Sequence, residues 1–280
     1  MKQADLHTHT IYSDGSETPT RVVEMAKQAG LSAVAITDHD ILDGYAEAAA
    51  AAATHGLELI PGLEMSAAFE DNEVHVLGFF IELDCAPFQR LLAEQRVRRV
   101  ARIREMVGRL QQLGLAIEPE EVFAAAGKQG SLGRPHVAQV LVKHGHVSSM
   151  REAFDRYIGA EGPAFVPGST MTPAFVIQAI RQAGGVPVLA HPVYLKDDAL
   201  IERFTREGLV GLEVYHSSHG AEVIQRYERL ADQLGLLRTG GSDFHGTGKE
   251  GVAVGASRVP YARVEALKEW KRAHTNSSCA

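Results

Sequence analysis

Short apolar runs that end in polar residues, separated by helical stretches, constrain the fold of this 280-residue chain more than any other feature. ADLHTH, LSAVAITDHD, LELIPGLEMSA, EVHVLGFF, VPVLAHP, GLVGLEVYH and LLRTGGSDFHG carry the strand-like runs. Between them lie helical patterns. Thr18 and Pro19 supply an N-cap and a first-turn proline, VVEMAKQA has helical spacing, and Gly30 supplies the stop. DGYAEAAAAAATHG is an alanine-rich helix, alanine being the best helix former. TPAFVIQAIRQAGG, residues 197–207, GAEVIQRYERLADQLG and YARVEALKEWKRA continue the alternation. Such alternation predicts an α/β chain with a mostly parallel sheet, open or closed into a barrel.

Residues 87–160 break the rhythm with consecutive helical patterns and no convincing strand. They read as a helical insertion that covers the active site. The barrel domain is expected at 1–86 and 161–280, with GAEGPAFVPGST returning the chain to it. The tail ending in NSSCA reads as a frayed end. No run of about 18 apolar residues suggests a membrane span, and the N-terminus shows no apolar signal core. Cys85 and Cys279 make neither a disulfide framework nor a zinc knuckle, so a reducing cytoplasm is expected. A net charge of -7 argues against a duplex-DNA binder. Residues 90–109 nonetheless hold seven Arg against two Glu, which suggests recognition of a small anion unless the run is a solvated helix face.

Side chains at i and i+2 of a strand point the same way, so His7 and His9 would aim two imidazoles at one spot. Asp14 follows in YSDGS, His39 in ITDHD, Glu64 in PGLEMS, His75 in EVHVLGF and His191 in VLAHP; GGSDFH adds Asp243 and His245. Each falls at or near the C-terminal end of a strand, or in a strand facing the same interior. In α/β barrels that rim gathers catalytic groups. Taken singly, His75 reads as a core histidine, Glu64 as a loop carboxylate and His191 as a strand terminator. Convergence of all nine predicts a metal site. The donors are imidazole and carboxylate, suited to Mn²⁺, Zn²⁺ or Fe²⁺. His55, His144, His146 and His274 lie near helix ends and receive no role. His216 and His219, in VYHSSHG, are ambiguous and stay outside the set. No G-x-S-x-G nucleophile motif is present.

DLHTHTIYSDG, ITDHD, GLEMS, the isolated His75, LAHP and GSDFH resemble, in order, the motifs of the PHP (polymerase and histidinol phosphatase) family, across residues 5–245. The resemblance implies a distorted (βα)7 barrel with three divalent metals at its C-terminal rim, Mn²⁺ first among them. His7 and His9 would hold one metal with Glu64 and Asp243. Glu64 would bridge to a second, held by His75 and His191. Asp14, His39 and His245 would hold the third; Asp14 departs from members with histidine there, but a carboxylate still supplies a hard oxygen. His39, Asp243 and His245 are the expected catalytic residues. Ions held in this way sit about 3.5–4 Å apart, and a water between them loses a proton near neutral pH and becomes the nucleophile.

The substrate must be read elsewhere. With Val100 as the wheel origin, Ile103, Met106, Val107 and Leu110 cover one arc; Arg99 falls inside it and Arg102 on its flank. An arginine on an apolar face must either pair with an acid or meet phosphate in the cavity; phosphate is the favoured reading. In QGSLGRPHVA, Ser131 and Gly133 can present amides near a helix start and Arg134 adds charge, although a tight turn into Pro135 explains the same residues. GSLGRPHVAQVLVKHG resembles the PHP branch acting on nucleotides phosphorylated at both 3′ and 5′ positions. That resemblance implies removal of the 3′-phosphate to leave a 5′-nucleotide, with short 5′-phosphorylated RNA as a further substrate; no obligate protein partner is evident in the sequence. The competing readings are a histidinol-phosphate or sugar-phosphate monoesterase, a polymerase-associated exonuclease module, and a non-catalytic scaffold. The acidic surface gives long duplexes little support.

Overall fold

A computed structural model describes residues 2–70, 72–127, 130–249, 251–274 and 279. The chain opens with β1 (Gln3–Asp5), α1 (Pro19–Gln28), β2 (Ala33–Ile36), α2 (Tyr45–His55), β3 (Glu58–Phe69) and β4 (Asn72–Phe79). Four helices follow: α3 (Ala86–Gln112), α4 (Pro119–Ala125), α5 (Arg134–Lys143) and α6 (Met150–Ala153), the last running into a π-helical turn. Alternation then resumes with α7 (Pro173–Gln182), β5 (Val186–Leu189), α8 (Ala199–Arg206), β6 (Gly211–His216), α9 (Ala221–Leu234), β7 (Leu237–Gly241), β8 (Val259–Pro260) and α10 (Ala262–His274).

The strands of the described residues form one sheet in the order β7-β6-β5-β4-β3-β2-β1-β8. Its ends meet. Leu6 N donates to Gly240 O at 3.2 Å, Asp243 N to His7 O at 2.8 Å and His9 N to Phe244 O at 2.8 Å, so β7 runs alongside the chain leaving β1. This nearly closed ring is the expected distorted barrel. A Cβ on Gly241 would lie 2.3 Å from His7 N, so only glycine allows this approach of β7 to the first strand.

The sheet is more mixed than the alternation predicts: β4 runs antiparallel to both β3 and β5. Two residues separate β3 from β4, too few for a crossover, so the pair can only be a hairpin. That register sets Ser66 opposite His75. Glu64 and Ser66 share a face by the two-residue repeat, which puts His75 on the face of Glu64.

Caps stop and start the helices where the sequence indicates. Thr18 Oγ1 accepts from Arg21 N at 3.1 Å, Thr172 Oγ1 from Phe175 N at 3.2 Å, and Gly56 closes α2 in the left-handed region. The first half of α3 packs Phe88 and Leu92 into the barrel's core. Its second half joins a separate apolar cluster, including Ile103, Leu110, Val137, Leu141 and Ile158, drawn from residues 103–166.

One expectation is corrected. Cys85 and Cys279 are joined by a disulfide across a separation of 194 residues. Spacing along the chain cannot reveal a bond between two residues so far apart in sequence. Cysteine usage therefore gives no argument for a reducing compartment. Residues 275–278 and 280 of the expected frayed end lie outside the described residues. No described helix is long and apolar enough to cross a membrane.

Candidate metal centre

Glu64, on β3, is the hub of the rim and is 1% exposed. Its Oε1 lies 2.9 Å from both His75 Nδ1 and His191 Nε2. Its Oε2 lies 3.2 Å from His7 Nε2, 3.2 Å from His9 Nε2 and 3.3 Å from His39 Nδ1. Asp243 Oδ1 faces the same imidazoles, 3.4 Å from His7 Nε2 and 3.3 Å from His9 Nε2, with His245 Nδ1 at 3.4 Å. Asp14 completes the set, with Oδ1 3.2 Å from His245 Nε2 and Oδ2 3.7 Å from His39 Nε2. All nine predicted residues thus meet at one end of the barrel. Their donor atoms fall into overlapping groups: His9, Asp14, His39 and His245; His7, His9 and Asp243; His7, Glu64 and His191; His39, Glu64 and His75.

Local structure explains the convergence. Asp5 Oδ1 and Oδ2 accept from Ser242 N at 2.9 Å and Ser242 Oγ at 2.6 Å, tying the loop of Asp243 to β1. Asp38 accepts from Thr10 N at 2.7 Å, Thr10 Oγ1 at 2.6 Å and Ser13 Oγ at 2.6 Å, which orders the turn carrying Asp14. Asp243 and His191 hold positive φ angles of 54° and 25°. Such backbone is costly for non-glycine residues and persists where surrounding structure enforces it.

The donors fit divalent cations. Asp14 Oδ1, His39 Nδ1 and His75 Nε2 are buried without hydrogen-bond partners. His7 Nε2 and His9 Nε2 approach to 3.1 Å beside two carboxylates. Buried polar atoms are normally paired, and lone pairs crowded around a common point need a positive charge between them. Without an ion, protons supply that charge. Burial pulls the His9 imidazole down, but hydrogen bonds to Asp243 and Glu64 and the charge of Asp14 outweigh it and lift the pKa to about 9. Burial likewise opposes protonation of His75, yet Glu64 and Glu73 raise it to about 10. His39 goes the other way; burial dominates and lowers it to about 3, leaving a neutral imidazole. Burial raises the carboxyls of Asp14, Glu64 and Asp243, but the surrounding histidines hold all three well below their ordinary range.

Several functional neighbours escaped the sequence reading. Glu213 on β6 accepts from His7 Nδ1 at 3.0 Å. His216 Nε2 lies 3.2 Å from Asp243 Oδ2, so this ambiguous histidine touches the cluster's edge. His219 does not join it; its Nδ1 bonds Val214 O at 2.8 Å. Lys249 Nζ lies 2.7 Å from Asp243 Oδ2. Parity in GLEVYH gave no signal for Glu213, because the β6–β7 register shifts between Glu213 and Tyr215, so that Tyr215 turns its hydroxyl to Glu228 on α9 while Glu213 meets His7.

The rim opens into a cleft of about 1710 Å³ walled partly by α4, α5 and α6. Of the predicted phosphate-binding residues, Arg134 lines it; Arg99, Arg102 and Ser131 do not. Arg99 takes the other course open to a buried arginine. Its Nε lies 2.8 Å from Asp40 Oδ2, and Nη1 and Nη2 reach Leu132 O at 2.8 Å and Ser66 Oγ at 2.9 Å. Arg102 Nε donates to Val166 O at 2.9 Å, while its Nη2 is buried without a hydrogen-bond partner. Ser131 N donates to Tyr12 O at 2.7 Å, with its Oγ buried and unbonded. Arg134 pairs with Glu73, and its guanidinium carbon lies 5.5 Å from the ring centres of both Phe154 and Phe165.

A barrel rim with donor groups that could hold metal ions, beside this cleft, fits a metal-dependent phosphoesterase, the class that the similar proteins support. The chain belongs to the PHP family. The PHP domain model matches residues 5–98. A 3′,5′-nucleoside bisphosphate phosphatase from Chromobacterium violaceum is 35% identical over 260 residues, covering 91% of each chain. A 5′-3′ exoribonuclease from Haemophilus influenzae is 33% identical over 249 residues, 87% of this chain and 90% of the relative. A solved structure from Bifidobacterium adolescentis, provisionally named a metal-dependent phosphoesterase, superposes with a TM-score of 0.86 at 36% identity, covering 94% of both chains.

Proposed function

We propose that this protein is a phosphatase that removes the 3′-phosphate from 3′,5′-bisphosphorylated nucleosides, giving a 5′-nucleotide and inorganic phosphate. The observation that carries the reading is one cleft lined by both seven of the nine donor residues and the clamped cation Arg134. A substrate with two phosphates uses both features at once. The residues His7, His9, Glu64 and Asp243 are assigned to one ion, Glu64, His75 and His191 to a second, and Asp14, His39 and His245 to a third. Mn²⁺ is the assigned ion, and the same donors accept Zn²⁺ or Fe²⁺. When bound, such ions neutralise phosphate charge and acidify a coordinated water.

The chain's own groups then divide the work. Arg134 presents its fork to the phosphate that stays, a geometry suited to phosphate oxygens. Phe154 and Phe165 hold its plane, and Glu73 shares it until substrate arrives. Lys249, on the cleft wall against Asp243, adds positive charge beside the phosphate that leaves. Asp243, His39 and His245 are the proposed catalytic residues, and the low pKa of His39 keeps it neutral, with one ring nitrogen's lone pair available.

Short 5′-phosphorylated RNA is the second substrate of this reading. The cleft continues past Arg134 to Lys143 and Arg151 on the helical wall, which leaves cationic room for a following nucleotide. The C. violaceum and H. influenzae relatives bear names for these two activities. A substrate panel of adenosine 3′,5′-bisphosphate, a 5′-phosphorylated trinucleotide and histidinol phosphate tests the reading. Preference for the bisphosphate and trinucleotide supports it. A tenfold preference for histidinol phosphate would overturn it, and fewer than one ion per chain with no turnover after Mn²⁺ addition would favour a non-catalytic scaffold.

A further inference from the structure

Glu213 is fully buried on β6, on a face turned toward the donor cluster, and is not among the nine assigned ligands. Its two oxygens do different things. Oε1 accepts from His7 Nδ1 at 3.0 Å, and Oε2 accepts from the backbone N–H of His191 at 2.7 Å. A carboxylate only accepts, so the proton between Glu213 and His7 must sit on His7 Nδ1. That leaves His7 Nε2, 3.2 Å from Glu64 Oε2, as the atom turned into the cluster. The second bond fixes His191 at its strained φ of 25°, which keeps Nε2 of that ring 2.9 Å from Glu64 Oε1.

We propose that Glu213 is a positioning residue that sets two ion positions at once, holding His7 in the Nδ1–H tautomer and His191 in its strained backbone so that both aim Nε2 at the opposite oxygens of Glu64. The role rests on the assignment of His7 and His191 as ligands. A carboxylate behind a ligand histidine fixes ring orientation and tautomer and raises basicity. Glu213 serves a ring just past β1 and a backbone amide just past β5, so a single side chain sets the spacing between them.

Glu213→Gln discriminates. The amide oxygen can keep the His191 bond, but the NH₂ group then donates to His7 Nδ1 and forces the proton onto Nε2, the atom aimed at the ion. Zn²⁺ titration against a competing chelator should show affinity falling by about 10–100-fold in the variant. ¹⁵N-histidine NMR of the Zn²⁺-loaded proteins should show His7 protonated at Nδ1 in wild type and that signal lost or shifted in the variant, a change that a merely structural role would not produce. Equal Zn²⁺ affinity in wild type and variant would overturn the role of Glu213 while leaving the metal centre standing. Wild-type protein that binds no Zn²⁺ would overturn both. Should the variant fail to fold, the wild-type spectrum decides: a His7 carrying its proton on Nε2 contradicts the proposal.

Discussion

Asp243 concentrates the chemistry of the rim in one side chain. Its Oδ1 faces His7, His9 and His245, while Oδ2 lies near Lys249 and His216. Asp243→Asn keeps the volume and removes the charge. It should leave the fold intact by circular dichroism and reduce turnover by more than the ~10–100-fold typical of residues behind the ligands; near-normal activity would remove Asp243 from the site. Protonation gives an independent check. Because His7, His9 and His75 are all raised, the last two to about 9 and about 10, ion-free protein holds an extra proton on each at pH 7, and loading with Mn²⁺ should release about three protons per chain. Calorimetry in buffers of different ionisation enthalpy measures that release. The same shifts fix the sign of the pH dependence. A raised imidazole pKa stabilises ion-free protein fully below about 6.5, and that contribution is lost as pH rises through about 9 to 10. Thermal melts of chelated protein should fall over that window, and a flat or rising profile would contradict the assigned environments. At this scale the nine donors were legible because histidines and acids recur at strand ends. Glu213 and Lys249 were not, because a lone acid in an apolar strand and a lone lysine in a loop carry no spacing signal.

The elements differ in how they serve the site. The hairpin of β3 and β4 places Glu64 and His75 by register, and the N-terminus of α5 brings Arg134 to the cleft. In α5 the sequence GRPH has a local logic: Pro135 begins the helix and His136 Nδ1 accepts from Gly133 N at 3.1 Å. Arg134→Ala should raise KM for a 3′,5′-bisphosphorylated nucleoside by about 10-fold, the loss of a charge-assisted bond, and change KM for a simple monoester far less. Equal effects on both would remove Arg134 from recognition of the second phosphate. Strand and helix positions were legible from alternation and caps. The antiparallel course of β4 and the pairing of Arg99 with Asp40 were less so. The first depended on counting the residues between two strands, and the second on a partner 59 positions away that only the folded rim brings near.

Across the whole molecule, barrel and helical wall are tied together by α3, which shares one core with the barrel and another with the helices after it. The disulfide joins Cys279 to Cys85, at the start of that helix. Cys279→Ser should lower unfolding stability by about 2–4 kcal/mol, as removal of a long-loop crosslink does. Denaturant midpoints with and without reductant measure the loss; identical midpoints would show that the bond does not form in solution. The central claim is tested most directly by ³¹P NMR of adenosine 3′,5′-bisphosphate incubated with Mn²⁺-loaded protein. Inorganic phosphate and the 5′-mononucleotide should appear together, and neither should form with chelated protein. A fully loaded protein that leaves the 3′-phosphate in place, or releases the 5′-phosphate instead, would contradict the account.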